Sequence, residues 1–178
     1  MMSLESLRGQ VAIAGVGHAG LGEARGHTEM EVLAQVATRA VADAGLSMRD
    51  IDGLATCSSS ATMWSMPVAE YLGLRPRYIE ATMLGGSSFV AHLLPSVMAL
   101  VSGQCNAVLV CYGSTQRTAA FGRKEGVKAR SLLDPQPFEH PYSPLQPVTS
   151  YALAAARHMH QYGTTRDQLA EVAVAARA

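Results

Sequence analysis

Thr82-Met83-Leu84-Gly85-Gly86-Ser87-Ser88 is the stretch of this chain whose residue types and spacing point most directly to chemistry. A strand pattern runs into a Gly-Gly turn and then into an apolar helix pattern. Backbone N–H groups at a helix start can hold an anionic oxygen, and the helix dipole favours negative charge there. A cysteine in that place would have a lowered pKa. The alternative is a tight turn that uses glycine for close packing, and the pattern alone leaves both open. Ser87 and Ser88 could attack a carbonyl only beside a base, and no Ser-His-Asp pattern accompanies them.

A second candidate is Gly15-Val16-Gly17-His18-Ala19-Gly20, which matches the Gly-x-Gly-x-x-Gly of dinucleotide loops. In such loops the third Gly opens a helix that receives the pyrophosphate. Here Gly22 and Gly26 prolong the loop to Thr28, and no acidic residue ends the next strand pattern, Asp52 lying near its start. The segment reads as a flexible surface loop. A third candidate is basic: Arg117, Arg123, Lys124, Lys128 and Arg130 are accompanied only by Glu125. Such a loop suits a phosphorylated ligand, and equally a solvated surface.

The remaining reactive residues carry weaker signals. Cys111 lies inside an apolar strand and reads as an inert core thiol. Cys105 lies in a helix-to-strand turn, and Cys57 ends a strand ahead of Ser58-Ser59-Ser60, where it can border a pocket. Three scattered cysteines suit neither a disulfide framework nor a zinc site. His158 and His160, two positions apart on a helix, point to different faces, so no metal is expected. His140 beside Pro141 reads as a surface residue, and Trp64 with Met66 reads as core or cleft lining.

These residues need a scaffold. The hydrophobic pattern predicts strands over Gln10–Val16, Ile51–Cys57, Arg77–Met83 and Ala107–Tyr112. It predicts helices over Thr28–Ala44, Trp64–Leu72, Ser87–Ser102, Tyr151–Tyr162 and Arg166–Ala178. Thr28 with Glu31, and Thr165 with Gln168, form capping boxes, while Gly45, Gly73 and Gly163 stand at helix ends. Ser47–Asp50 reads as a short capped turn. The Ser87–Ser102 pattern is apolar almost all round, which implies burial on all sides, with Pro95 as a kink or early turn. Alternating strands and helices mean an α/β fold with a largely parallel sheet. From Ser114 to Ser150 the texture changes to five of the eight prolines and the basic cluster, an excursion from the core. The last helix has no stop signal, as in a polypeptide cut within a longer one.

The 178 residues include 28 Ala and 16 Gly, and only 16% are charged. That is below the roughly 25% usual for soluble domains and suits a chain with much surface to hide. Fourteen basic residues balance fourteen acidic ones, which argues against a nucleic-acid binder. No apolar run reaches the roughly 18 residues of a membrane span, and no secretory signal opens the chain, so a cytoplasmic setting is expected.

Several short motifs taken in order resemble the N-terminal half of the thiolase superfamily, closest to its sterol-carrier-protein-type branch. They are Val11-Ala12-Ile13-Ala14-Gly15-Val16-Gly17, Ala40-Val41-Ala42-Asp43-Ala44-Gly45-Leu46, Ile51-Asp52-Gly53-Leu54 and Gly85-Gly86-Ser87-Ser88, then Val108 to Ser114 and Tyr162 to Ala170. The resemblance implies a thiolase-like N-terminal α/β half with a mixed, mostly parallel sheet, helices on both faces and a loop excursion. Its divisions would be a core over 1–114, a Pro-rich basic loop over 115–150 and the helices of the loop region over 151–178.

The family's nucleophile begins a Cys-x-x-Gly-x-Ser/Ala motif. Matching Gly86 and Ser88 to it puts Met83 at the nucleophile position. A thioether has no proton to lose and forms no ordinary thioester. The resemblance implies an acyl-CoA site with Met83, Gly85, Gly86 and Ser87 at the substrate and Arg117, Arg123, Lys124 and Lys128 at the phosphates of coenzyme A. It implies a homodimer through Arg77–Met83 and the remaining catalytic groups in an absent C-terminal half, so this chain alone is expected to be inactive. Two chemistries compete: acyl transfer in lipid metabolism, and carbon–carbon cleavage by thiolase-like retro-aldolases, which use tyrosines and an OB-fold partner with a zinc site. A third reading is a non-catalytic CoA- or lipid-binding or scaffolding subunit.

Overall fold

A computed structural model describes residues 4–19, 22–58, 61, 63–121, 140–142, 144 and 147–178. They fall into two compact units, Met1–Val127 and Lys128–Ala178.

The first unit is built on a parallel sheet of three strands, β1 (Gly53–Ala55), β2 (Tyr78–Glu80) and β3 (Val108–Val110). The order is β2-β1-β3, so the first strand lies in the centre. Leu54 stands beside Ile79 on one side and Leu109 on the other. The central strand is buried at every residue, as a strand covered on both faces must be. All three strands are shorter than their apolar runs.

One face is covered by α1 (Glu29–Asp43) and α2 (Ser65–Tyr71). Leu33, Ala37 and Val41 of α1 and Val68 and Ala69 of α2 join Leu54, Leu109 and Cys111 in one core. The ends of α1 follow its local signals. Thr28 N–H donates to Glu31 Oε2 at 2.7 Å, and Glu31 N–H donates to Thr28 Oγ1 at 3.2 Å. Gly45 then takes a left-handed φ of 68°. The opposite face meets α4 (Leu93–Val101), which packs on β2 and β3.

The expected helix over Ser87–Ser102 is divided into α3 (Ser88–Ala91) and α4, with His92 between them. Pro95 has no N–H to offer the preceding turn, and the break falls where that bond would have been accepted. Burial is one-sided rather than complete. Ser88, His92 and Ser96 are buried, while Val90 is 73% and Leu94 55% exposed. Apolar character all round the helix exceeds what this unit covers.

The expected buried strand at Gln10–Val16 is an extended segment with no strand partner among the described residues. Ile13 is 77% and Val16 71% exposed. The segment lies instead on α1. A Cβ on Gly17 would stand 2.5 Å from Ala40 N and 2.6 Å from Val36 O, and one on Gly15 would collide with Ala40 O. Val16 N–H donates to Asp43 Oδ2 at 2.9 Å, and Arg39 Nη1 donates to His18 O at 2.6 Å. Gly15 and Gly17 therefore allow backbone to touch helix backbone; the expected flexible loop is anchored on α1 over these residues.

The unit continues into α5 (Gln116–Phe121). Thr118 Oγ1 accepts the Ala24 N–H at 2.8 Å. In the second unit, α6 (Val148–Tyr162) ends at Gly163 with φ 70°, and α7 (Arg166–Ala175) opens on the Thr165–Gln168 capping box. Neither helix has a buried residue.

Candidate functional site

In a parallel sheet the C-terminal ends of neighbouring strands open to the same side, and ligand crevices form there. The chain leaving β1 continues through Thr56, Cys57 and Ser58, and the chain leaving β2 continues through Ala81, Thr82 and Met83. A cavity of about 180 Å³ lies between these exits, lined by Thr56, Cys57, Ser58, Ala61, Met63, Trp64, Ala81 and Met83. Most of its walls are methyl, thioether and indole, with few polar groups, as small-molecule pockets commonly are. Met63 takes a left-handed φ of 56°, a sparsely populated conformation for a side chain of its size. Ser58 Oγ donates to Glu29 Oε1 at 3.0 Å, tying the pocket wall to the first turn of α1.

The turn that carries Met83 is held from below. Ser88 Oγ accepts the Leu84 N–H at 2.7 Å and donates to Gly85 O at 2.7 Å. Its hydroxyl is thereby engaged and buried, so Ser88 acts on the turn rather than on a ligand. Gly85 has φ 67°, which explains a glycine there. Gly86 has no neighbouring atom within 4 Å of a Cβ, so close packing does not require it. Ser87 is exposed and caps nothing with its side chain. The expected long helix with a strong N-terminal dipole is, at this point, the four-residue α3.

Of the sequence-derived site residues, Met83 lines the cavity and is 36% exposed. Gly85, Gly86 and Ser87 form the exposed turn after it. Arg117 is exposed on α5 and is not among the cavity's lining residues. Arg123, Lys124 and Lys128 lie outside the described residues. Cys57 and Trp64 both line the cavity, whereas Met66 is exposed. Thr56, Ala61, Met63 and Ala81 are additions by the structure, and no chemical motif marked them. The usable signal was that Cys57 and Met83 each follow a strand, which a parallel sheet brings side by side.

The other thiols do not join the site. Cys105 is buried at the far end of β3, where burial pushes its thiol up and the Asp52 charge adds to it, against Arg77. Burial pushes Cys111 up to about 12, opposed by the Thr56 hydroxyl. Asp52 is a structural acid. Its carboxylate accepts from Asn106 N at 2.7 Å, Asn106 Nδ2 at 2.8 Å and Ala107 N at 2.9 Å, fastening the start of β1 to the turn before β3. Among the described residues no group of three His, Cys, Asp or Glu is placed to hold a metal. No helix among them is long and apolar enough to cross a membrane.

No family model matches the chain. It is 30% identical over 176 residues to a 17-hydroxy-3-oxo-4-pregnene-20-carboxyl-CoA lyase of Mycobacterium tuberculosis, covering 96% of this chain and 45% of that protein. It is 30% identical over 180 residues to a steroid side-chain-cleaving aldolase of Thermomonospora curvata, covering 94% and 44%. An acetyl-CoA acetyltransferase of Methanothermobacter thermautotrophicus is 29% identical over 182 residues, covering 92% and 43%. The chain thus spans less than half the length of these curated relatives. Among solved structures, an Ltp2–ChsH2(DUF35) aldolase matches 86% of this chain and 39% of its own, with a TM-score of 0.68 and 25% identity. The relatives and the shared architecture together point to a thiolase-like α/β fold.

Proposed function

We propose that this chain forms part of a thiolase-like enzyme that acts on CoA thioesters and cleaves a carbon–carbon bond by retro-aldol chemistry. The observation that carries it is Met83. This residue lines the cavity at the strand exits, and its thioether has no proton to lose. An acyl-enzyme at that position is chemically closed, whereas a retro-aldol step needs none. In that step a base takes the β-hydroxyl proton, the Cα–Cβ bond breaks to leave a carbonyl compound, and the CoA-thioester enolate takes up a proton. Two relatives at 30% identity carry lyase or aldolase names, which supports this chemistry, and two at 28–29% carry acetyltransferase names, so the choice between them rests on Met83.

On this reading Met83 and the turn at Gly85, Gly86 and Ser87 face the acyl end of the substrate. The phosphates of coenzyme A are assigned to Arg117, Arg123, Lys124 and Lys128 from their sequence clustering, of which Arg117 alone lies within the described residues. The solved aldolase is an Ltp2–ChsH2(DUF35) assembly, which supports a second protein working with this one; we infer for that partner an OB-fold with a zinc site. The Arg77–Met83 segment would pair across a homodimer two-fold; β2 is one of the two edges of the sheet among the described residues, with Ile79 46% exposed on it.

The test uses the full-length protein, with and without its partner, and a β-hydroxyacyl-CoA. Release of a shorter acyl-CoA and a carbonyl product, with no acyl adduct in the intact mass, supports the proposal. A covalent acyl-enzyme in the unsubstituted protein would overturn it.

A further inference from the structure

The two peptide groups that flank Met83 are each held by a buried side chain from the helix beneath. His92 Nε2 lies 2.8 Å from Thr82 O, and since a carbonyl only accepts, the ring nitrogen donates. Ser88 Oγ accepts the Leu84 N–H at 2.7 Å. Ser88 and His92 stand four residues apart, one turn of helix, and both have no exposed surface. The Thr82 N–H is held as well, by Glu80 Oε1 at 2.7 Å. Met83 is therefore suspended between clamped peptides while its own side chain reaches the cavity.

A histidine is an unusual choice for a structural bond in this place. Its second ring nitrogen, Nδ1, is buried without a hydrogen-bond partner among the described residues, a loss that a structural side chain would ordinarily avoid. The imidazole contributes the Nε2 bond to Thr82 O and an edge contact with the Phe89 ring, whose centroid lies 5.7 Å away; only the bond reaches the Met83 turn.

We propose that His92 is a positioning residue that, with Ser88, sets the direction of the residue-83 side chain into the cavity. The device determines which face of a thioester meets position 83, and to that extent it rests on the proposed function. Its physical claim concerns this chain alone and is tested without substrate.

The experiment places a reporter at the clamped position by Met83→Cys and compares three backgrounds: His92 intact, His92→Gln and His92→Leu. Gln retains an N–H donor and Leu does not. Alkylation of the introduced thiol by iodoacetamide is followed across pH by peptide mass spectrometry, with amide exchange of residues 82–85 in parallel. The Leu background is expected to change the alkylation rate fivefold or more and to speed exchange at 82–85 tenfold or more. The Gln background is expected to stay within twofold of the parent. Rates within twofold in the Leu background, or equal disturbance by Gln and Leu, would overturn the proposal. Nitrogen-15 spectra of the unsubstituted protein supply a readout that needs no variant to fold. A slowly exchanging His92 Nε2–H supports the clamp, and a ring protonated only at Nδ1 refutes it. Failure of acyl-CoA binding, measured separately by calorimetry, would count against the proposed function and leave these outcomes unchanged.

Discussion

Cys57 and Met83 stand 26 positions apart in sequence and line the same 180 Å³ cavity, one at the exit of β1 and the other beyond β2. The parallel pairing of those strands, Ala55 beside Glu80, brings them there. A buried thiol at a ligand cavity makes a natural footprinting reporter. Acyl-CoA at about ten times its Kd is expected to slow iodoacetamide labelling of Cys57 about tenfold by occupancy alone. Cys111 should remain unlabelled at pH 8 in either case, since a thiol near 12 leaves a thiolate fraction of about 10⁻⁴. Peptide mapping of the labelled protein checks both. Unchanged Cys57 labelling at saturating ligand would place the binding site elsewhere.

The Asp52 contacts make stability depend on acid. Burial raises the carboxyl's pKa, but the Ala107 and Asn106 donors outweigh it and Arg77 adds to them, so the folded value lies below the ordinary one. A depressed carboxylate contributes fully above the unfolded pKa, and the contribution is lost as pH falls through the folded value. Thermal midpoints by circular dichroism should therefore drop between about pH 5 and pH 2, and Asp52→Asn should flatten that part of the curve. An identical acid limb in the variant would remove Asp52 from the account.

Glycines that look alike in sequence should differ sharply on substitution. Gly17→Ala would drive a methyl into the α1 backbone and is expected to cost about 1–3 kcal/mol. Gly86→Ala meets no atom within 4 Å, and the change is expected to stay within about 0.5 kcal/mol. Gly85→Ala falls between, at about 1 kcal/mol, because its φ of 67° disfavours a side chain. Urea unfolding curves would order the three; a harmless Gly17→Ala would contradict the contact.

If β2 forms the dimer seam, Ile79→Lys places a charge in the middle of it. Sedimentation should show a dimer for the unsubstituted protein and a monomer for the variant. A stable monomer before substitution would remove the seam from the proposal.

Much of this fold is local chemistry, and local chemistry is written in the sequence. The Thr28–Glu31 and Thr165–Gln168 boxes open their helices, and Gly45, Gly73 and Gly163 turn left-handed where the helices end, because caps depend on neighbours within four residues. The apolar runs around Leu54 and Leu109 likewise mark strands that must be covered on both faces. Met83, which lines the cavity, could be singled out from the sequence because its turn has a motif. Its surroundings were not, since Ala61, Met63 and Ala81 have no distinguishing chemistry and gain meaning only from which strand exits lie side by side.

Tertiary structure also decided what glycine and serine are for. Gly15 and Gly17 share the spacing of a phosphate loop, but the approach of α1 turns them into contact points for a helix. Ser88 sits beside the turn like a nucleophile, but its hydroxyl is committed to Leu84 and Gly85. The sequence by itself determined where α1 and α7 start, where α1, α2 and α6 stop and that β1 is buried, since those depend on short-range bonding and hydrophobicity; it did not determine that Gln10–Val16 would lie exposed on α1 or that the Ser87–Ser102 helix would divide. Only the packed chain decided that the strand exits bring Met83 to a cavity wall shared with Cys57 and that His92 and Ser88 hold its turn, because those relations arise from long-range register and burial.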